Sequence, residues 1–139
     1  MEVIQFDGLI GEIESFDSFY KDFDLMDGVI TIPWLNLGFY DHPINLDKDS
    51  STDFYDKVYL SIEDIYLCLK NGEIIFRSCN ISKSYYKIFY IEGVNVETNQ
   101  LDSFNFICKD VKVIIPFDSR KSKISWSNDA NFFKEIKNI

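Results

Sequence analysis

The chain has 139 residues, 46% of them hydrophobic and 17% aromatic, with a formal net charge of −9 and a pI near 4.5. That length fits one domain, residues 1–139, with enough apolar content for a core that needs neither metal nor disulfide. The negative charge repels phosphate backbones and anionic bilayers, so it argues against nucleic-acid and membrane partners and for a basic protein partner.

From the start of the chain, Met1 to Asp7 lack the basic and apolar regions of a secretion signal. With no apolar run approaching the ~20 residues of a membrane helix, a cytoplasmic address is expected. Glu2 to Phe6 is β-prone and is closed by Asp7-Gly8; residues 11–16 form a second candidate strand. Phe16, Phe19, Tyr20 and Phe23 then recur at i, i+3, i+4 and i+7, the spacing of one helical face, which predicts a short helix. Asp27-Gly28 is a turn pair that launches the strand Val29-Ile30-Thr31-Ile32. Pro33 cannot donate to a ladder, so this strand lies at an edge or bends there. Residues 41–56 are rich in Asp and Ser, with His42, Pro43 and Asn45 among them, and read as one long surface loop.

Val58, Leu60 and Ile62 alternate with polar neighbours. At Glu63-Asp64 the phase breaks, and Ile65, Leu67 and Leu69 continue on the opposite parity, as at a β-bulge or sharp bend. A helix over residues 61–69, capped by Ser61 and ended by Gly72, is the competing reading. The strand is preferred because β-branched and aromatic residues are dense and Asn71-Gly72 is a strong hairpin turn. Residues 73–78, 84–96, 104–108 and 111–116 supply further strands, with a tight turn or bulge at Lys109-Asp110. At the C-terminus, Ser127, Asn128 and Asp129 offer caps, and Phe132, Phe133 and Ile136 form an apolar stripe, which predicts a helix packed on the sheet. The expected class is α+β: mostly antiparallel β, as a sandwich or curled sheet, with a C-terminal helix.

No catalytic, metal or cofactor motif emerges. His42 is the only histidine and lies beside Pro43 in a polar loop, where a bond to nearby backbone suffices to explain it. Asp47, Asp49, Ser51 and Asp53 partly mimic a calcium loop, but Thr52 replaces the required glycine and Val58 the bidentate glutamate. Cys68, Cys79 and Cys108 are odd in number, lack ligand spacing and sit among apolar neighbours, as reduced structural thiols do. Glu12, Glu14, Glu63, Asp64 and Glu92 could supply the carboxylate pair of a hydrolase, but no spacing favours one pair. Residues 12–27 interleave Glu12, Glu14, Asp17, Asp22, Asp24 and Asp27 with Phe16, Phe19, Tyr20 and Phe23. Aromatic anchors ringed by acids suit a binder of a basic protein; an amphipathic segment with solvated acids is the plainer alternative.

The run from Asp27 to Trp34, followed by His42-Pro43-Ile44-Asn45, resembles the small acidic immunity proteins of bacterial polymorphic and contact-dependent toxin systems. That resemblance covers about the first third of the chain. It implies stoichiometric inhibition of a toxin domain and carries over no individual residue. The expected function is therefore a non-enzymatic, protein-binding module of immunity type. The alternatives are a ligand- or carbohydrate-binding β domain that stacks its ligand on Trp34, Trp126 or tyrosines, and a hydrolase with a carboxylate pair.

Overall fold

The computed structural model describes residues 2–6, 13–15, 17–23, 25–45, 52–77, 86–116 and 120–121. In chain order the strands are β1 (Glu2–Phe6), β2 (Ile13–Glu14), β3 (Phe19–Tyr20), β4 (Leu25–Met26), β5 (Val29–Leu35), β6 (Leu37–Tyr40) and β7 (Thr52–Tyr55). They continue with β8 (Val58–Glu63), β9 (Leu67–Lys70), β10 (Glu73–Phe76), β11 (Lys87–Asn95), β12 (Gln100–Cys108), β13 (Asp110–Ile115) and β14 (Arg120–Lys121).

Two long antiparallel ribbons organise these strands. In the first, β5 and β6 run against β7 and β8, from Val29 opposite Glu63 to Tyr40 opposite Thr52, in one unbroken register. The ribbon leaves a ten-stranded sheet and enters a four-stranded one where Asn36 and Lys57 turn the backbone through φ of 60° and 49°. In the second, β8 and β9 run against β13 and β12. Glu63 lies opposite Asp110 and Leu67 opposite Ile107, so three residues of one strand face two of the other. That is a β-bulge, and strands change layer at such bends. Asp64, with φ 51°, makes the corner, and Lys109 N–H to Glu63 O (3.2 Å) and Tyr66 N–H to Ile107 O (2.7 Å) hold the ribbon together through it.

The bulge expected at Glu63-Asp64 is thus present, and the strand reading of residues 61–69 holds. The corner's effect on parity differs from expectation. Ile65 goes inward, but so does Cys68, while Leu67 and Leu69 are only half-buried. Asp27-Gly28 and Asn71-Gly72 close the β4–β5 and β9–β10 hairpins, with both residues of each pair at positive φ. This is the two-residue turn whose twist matches the strands it joins.

The large sheet runs β1-β13-β8-β5-β3-β11-β12-β9-β10, with β4 attached to β5. Because the second ribbon folds over at its corner, β1-β13-β8-β5 and β11-β12-β9-β10 contribute to one core. Ile30, Ile32 and Trp34 of β5, Leu60 and Ile62 of β8, and Val113 of β13 share it with Ile91, Phe104, Phe106 and Cys108. Each large apolar side chain fully buried here contributes about 1.5–3 kcal/mol. The two-residue β3 bridges the halves, pairing antiparallel with β5 and parallel with β11.

Three expectations need correction. Every helix or strand among the described residues is a strand, so the class is all-β rather than α+β. The expected helix at residues 16–23 is replaced by a left-handed turn at Asp17 (φ 57°) followed by β3. Aromatic residues suit a strand, and sheet pairing on both sides outweighs the helical spacing. The C-terminal helix falls on residues 127–137, outside the described residues. Finally, residues 52–55 of the expected loop form β7, whose Asp53, Phe54 and Tyr55 are buried against β6.

Candidate functional site

β5 has an incomplete outer edge. On that side β3 pairs with it only as far as Tyr20 opposite Trp34, and β4 resumes at Leu25 opposite Ile30. Between them the last bond is from Lys21 N–H to the Pro33 carbonyl (3.1 Å). A residue's N–H and C=O point to the same side of a strand, so the Pro33 ring replaces the donor that would have continued this ladder. β5 is not the edge strand that Pro33 led one to expect: it is paired on both sides, and Pro33 lies at the gap between β3 and β4. That gap opens a groove of about 650 Å³ lined by Lys21, Asp22, Phe23, Met26, Asp27, Val29, Thr31 and Pro33.

The groove brings together two of the acids singled out from sequence. Asp22 and Asp27 are both exposed and face it from opposite ends of the 22–27 segment. Met26 is 72% exposed, whereas Phe23 is half-buried with its ring 5.6 Å from Phe104 and 6.2 Å from Phe76. One wall is therefore rooted in the core and the other projects into solvent. Glu14 lies in β2 opposite Gly38 and does not line the groove. Asp17 is exposed at its left-handed turn, where its carbonyl accepts from Asn36 Nδ2 (3.1 Å). Glu12 and Asp24 lie outside the described residues.

Behind the groove is a buried polar network that no local motif announced. Asn95 Nδ2 donates to Asp22 Oδ1 (2.6 Å) and lies 3.2 Å from the Tyr20 hydroxyl. Asn95 Oδ1 accepts from the amides of Glu97 (2.8 Å) and Thr98 (3.3 Å), which shapes the β11–β12 turn. The Tyr20 hydroxyl donates to Asp102, whose carboxylate also meets Asn71 Nδ2 (3.0 Å) and Lys70 Nζ (3.2 Å). The Lys70 ammonium stands 5.6 Å from the Phe104 ring centre and 5.9 Å from that of Tyr20. Burial pushes Asp102 upward, but the bonds from Tyr20, Asn71 and Lys70 outweigh it and hold the carboxyl below its ordinary value. Burial, then the bond to Asp102, raises Tyr20 far above the usual phenol range. Alternation along the strands was the available signal: Asn95 and Asp102 occupy inward positions that they share with Ile91 and Phe104.

The remaining candidates are accounted for individually. His42 accepts at Nδ1 from the Ile44 amide (3.1 Å), the local backbone bond expected for it. Cys68 and Cys108 are free and buried. Burial pushes both thiols up to about 12, so neither is a ready nucleophile; Cys79 is outside the described residues. Glu63 pairs with Lys112 (2.8 Å), Asp64 with Lys109 (3.8 Å), and Glu92 accepts from the Tyr90 hydroxyl (3.0 Å). Trp34 is wholly buried and stacked on Tyr20, so it offers no platform to a ligand; Trp126 lies outside the described residues. No group of three potential metal ligands occurs among the described residues, and no helix there is long and apolar enough to cross a membrane.

One further surface feature lies on the outer face of β11-β12-β9-β10. Tyr90, Asn105, Leu69 and Ile74 form one cross-strand row, and Ile88, Ile107 and Leu67 the next. Ile74 is 67% exposed and Ile88 56%. No protein-family model, curated protein or solved structure matches the chain.

Proposed function

We propose that this chain is a non-enzymatic protein-binding module, an immunity-type inhibitor that captures a basic toxin domain in the cytoplasm. The observation that carries this reading is the groove beside β5, where Asp22 and Asp27 flank an exposed Met26 and a core-anchored Phe23. Acids at a rim steer a basic partner, and apolar side chains within it slow release. The overall charge of −9 adds to that steering.

The test is co-expression with the toxin domain encoded beside this chain. Protection of the cells at about equal stoichiometry is expected, together with association that slows as salt rises, because exposed charges are screened beyond about 8 Å at 0.15 M. Asp27→Lys reverses an exposed charge in a hairpin turn and should slow association by about tenfold, at a small cost in thermal stability because lysine suits a φ of 53° less well than aspartate does. A purified chain that neither binds nor neutralises that domain, or a gene with no toxin beside it, defeats the immunity reading.

A further inference from the structure

We infer that the groove beside β5 is an anchor site for a single arginine side chain on the surface of the partner protein; the inference rests on the reading above and names the chemistry it requires. Three features of the groove converge on that occupant.

The first is charge. Among the described residues, two carboxylates and one ammonium line the groove, those of Asp22, Asp27 and Lys21, an excess of one negative charge. One monovalent cation balances it. The second is the wall. Met26, Val29 and Pro33, with the half-buried Phe23, give an aliphatic stem apolar surface to lie along while its charged head reaches the carboxylates. The third is orientation. Although Asp22 is exposed, its Oδ1 is held by Asn95 at 2.6 Å, and Asn95 is fully buried with both polar atoms of its side chain engaged. The carboxylate is thus aimed before a partner arrives, which removes part of the ordering cost of binding.

A guanidinium suits this arrangement better than an ammonium. Its rigid fork of five donors can grip a carboxylate through two parallel bonds, its flat face can rest on apolar walls, and it gives up hydration more readily. Where the partner's surface covers the groove, that last difference favours arginine over the strongly hydrated lysine head.

The experiment uses the full chain, isotopically labelled, titrated by NMR with three blocked tripeptides: acetyl-Gly-Arg-Gly-amide, its lysine counterpart, and its neutral citrulline counterpart. The arginine peptide is expected to shift the Asn95 side-chain amide and the Asp27 and Thr31 backbone amides in the millimolar range, the lysine peptide to bind more weakly, and the citrulline peptide to leave them unmoved. Asp27→Asn keeps a residue well suited to the left-handed turn position. It should weaken the arginine peptide by about threefold to fivefold, the worth of one exposed ion pair. Equal shifts from arginine and citrulline, equal binding of arginine and lysine, an unaffected Asp27→Asn, or no shifts at high millimolar peptide each overturn the inference. Toxin neutralisation with a silent groove defeats this inference alone. An arginine-binding groove in a chain that neutralises nothing defeats the immunity reading alone.

Discussion

Trp34 lies stacked on Tyr20 with ring centres 5.1 Å apart, and the space over its outer ring edge belongs to Gly93. A Cβ at position 93 would sit 2.5 Å from Trp34 Cζ2 and 3.3 Å from the Ser18 carbonyl. The indole is fully buried and has no room to yield. Gly93→Ala should therefore cost about 2 kcal/mol, within the range for overpacked cores, read as a lowered urea midpoint with unchanged m-value. Asp102 makes a second prediction at this scale. Its folded carboxyl is held below the ordinary value of about 4. A depressed carboxyl contributes stability above its unfolded value and loses that contribution as pH falls through the folded one. Stability should decline below about pH 4, and Asp102→Asn should make the decline shallower, by at most about one proton. Denaturant titrations of both proteins at stepped pH measure the difference.

Among the elements, the Asn71-Gly72 hairpin does more than reverse the chain. Asn71 has φ of 52°, accepts at Oδ1 from the Ser103 amide (2.8 Å) and donates from Nδ2 to Asp102 (3.0 Å). Asn71→Gly keeps the left-handed backbone but loses both side-chain bonds, a cost of about 1–3 kcal/mol. Asn71→Ala retains the Cβ but not the polar group that lets asparagine tolerate a positive φ, so it should be about 1 kcal/mol less stable than the glycine variant. Equal midpoints for the two variants in chemical denaturation would show that the backbone conformation contributes nothing. Both tight turns were legible in sequence because Asp-Gly and Asn-Gly specify their backbone locally, but β4, the strand that makes the first of them a hairpin, was not. The bulge at Glu63-Asp64 was legible because it breaks a period. Residues 16–23 were not, since Tyr20 and Phe23 face inward from a short strand and a connecting segment, and partners far along the chain, Trp34 and Val94, decide that placement. β7 was hidden for a related reason: Asp53 looks like a loop residue until its amide is seen bonded to the Asn45 side chain (3.1 Å). For the groove, Asp22 and Asp27 were legible as acids beside aromatics. The gap that assembles them depends on where β3 stops and β4 starts, which no local pattern encodes.

At the level of the whole molecule, β3 and the bulged corner at residues 64–66 tie the two halves of the large sheet into one core, and most of that pairing joins distant parts of the chain. The outer face of β11-β12-β9-β10 stands apart from that core, with Ile74, Ile88 and Tyr90 in water. Such a surface can make one copy adhesive to another, and long-range repulsion between like-charged particles opposes that adhesion. The chain has a charge of −9 at pH 7 and none near pH 4.5. Light scattering across that interval should find solubility lowest close to pH 4.5 and a second virial coefficient that turns from positive to negative on the way. Ile74→Lys together with Ile88→Lys should move the minimum to higher pH and make it shallower, because the pair raises the isoelectric point and breaks the adhesive face. The acidity proposed to draw in a basic partner would then also be what allows an uncovered apolar sheet to remain dispersed.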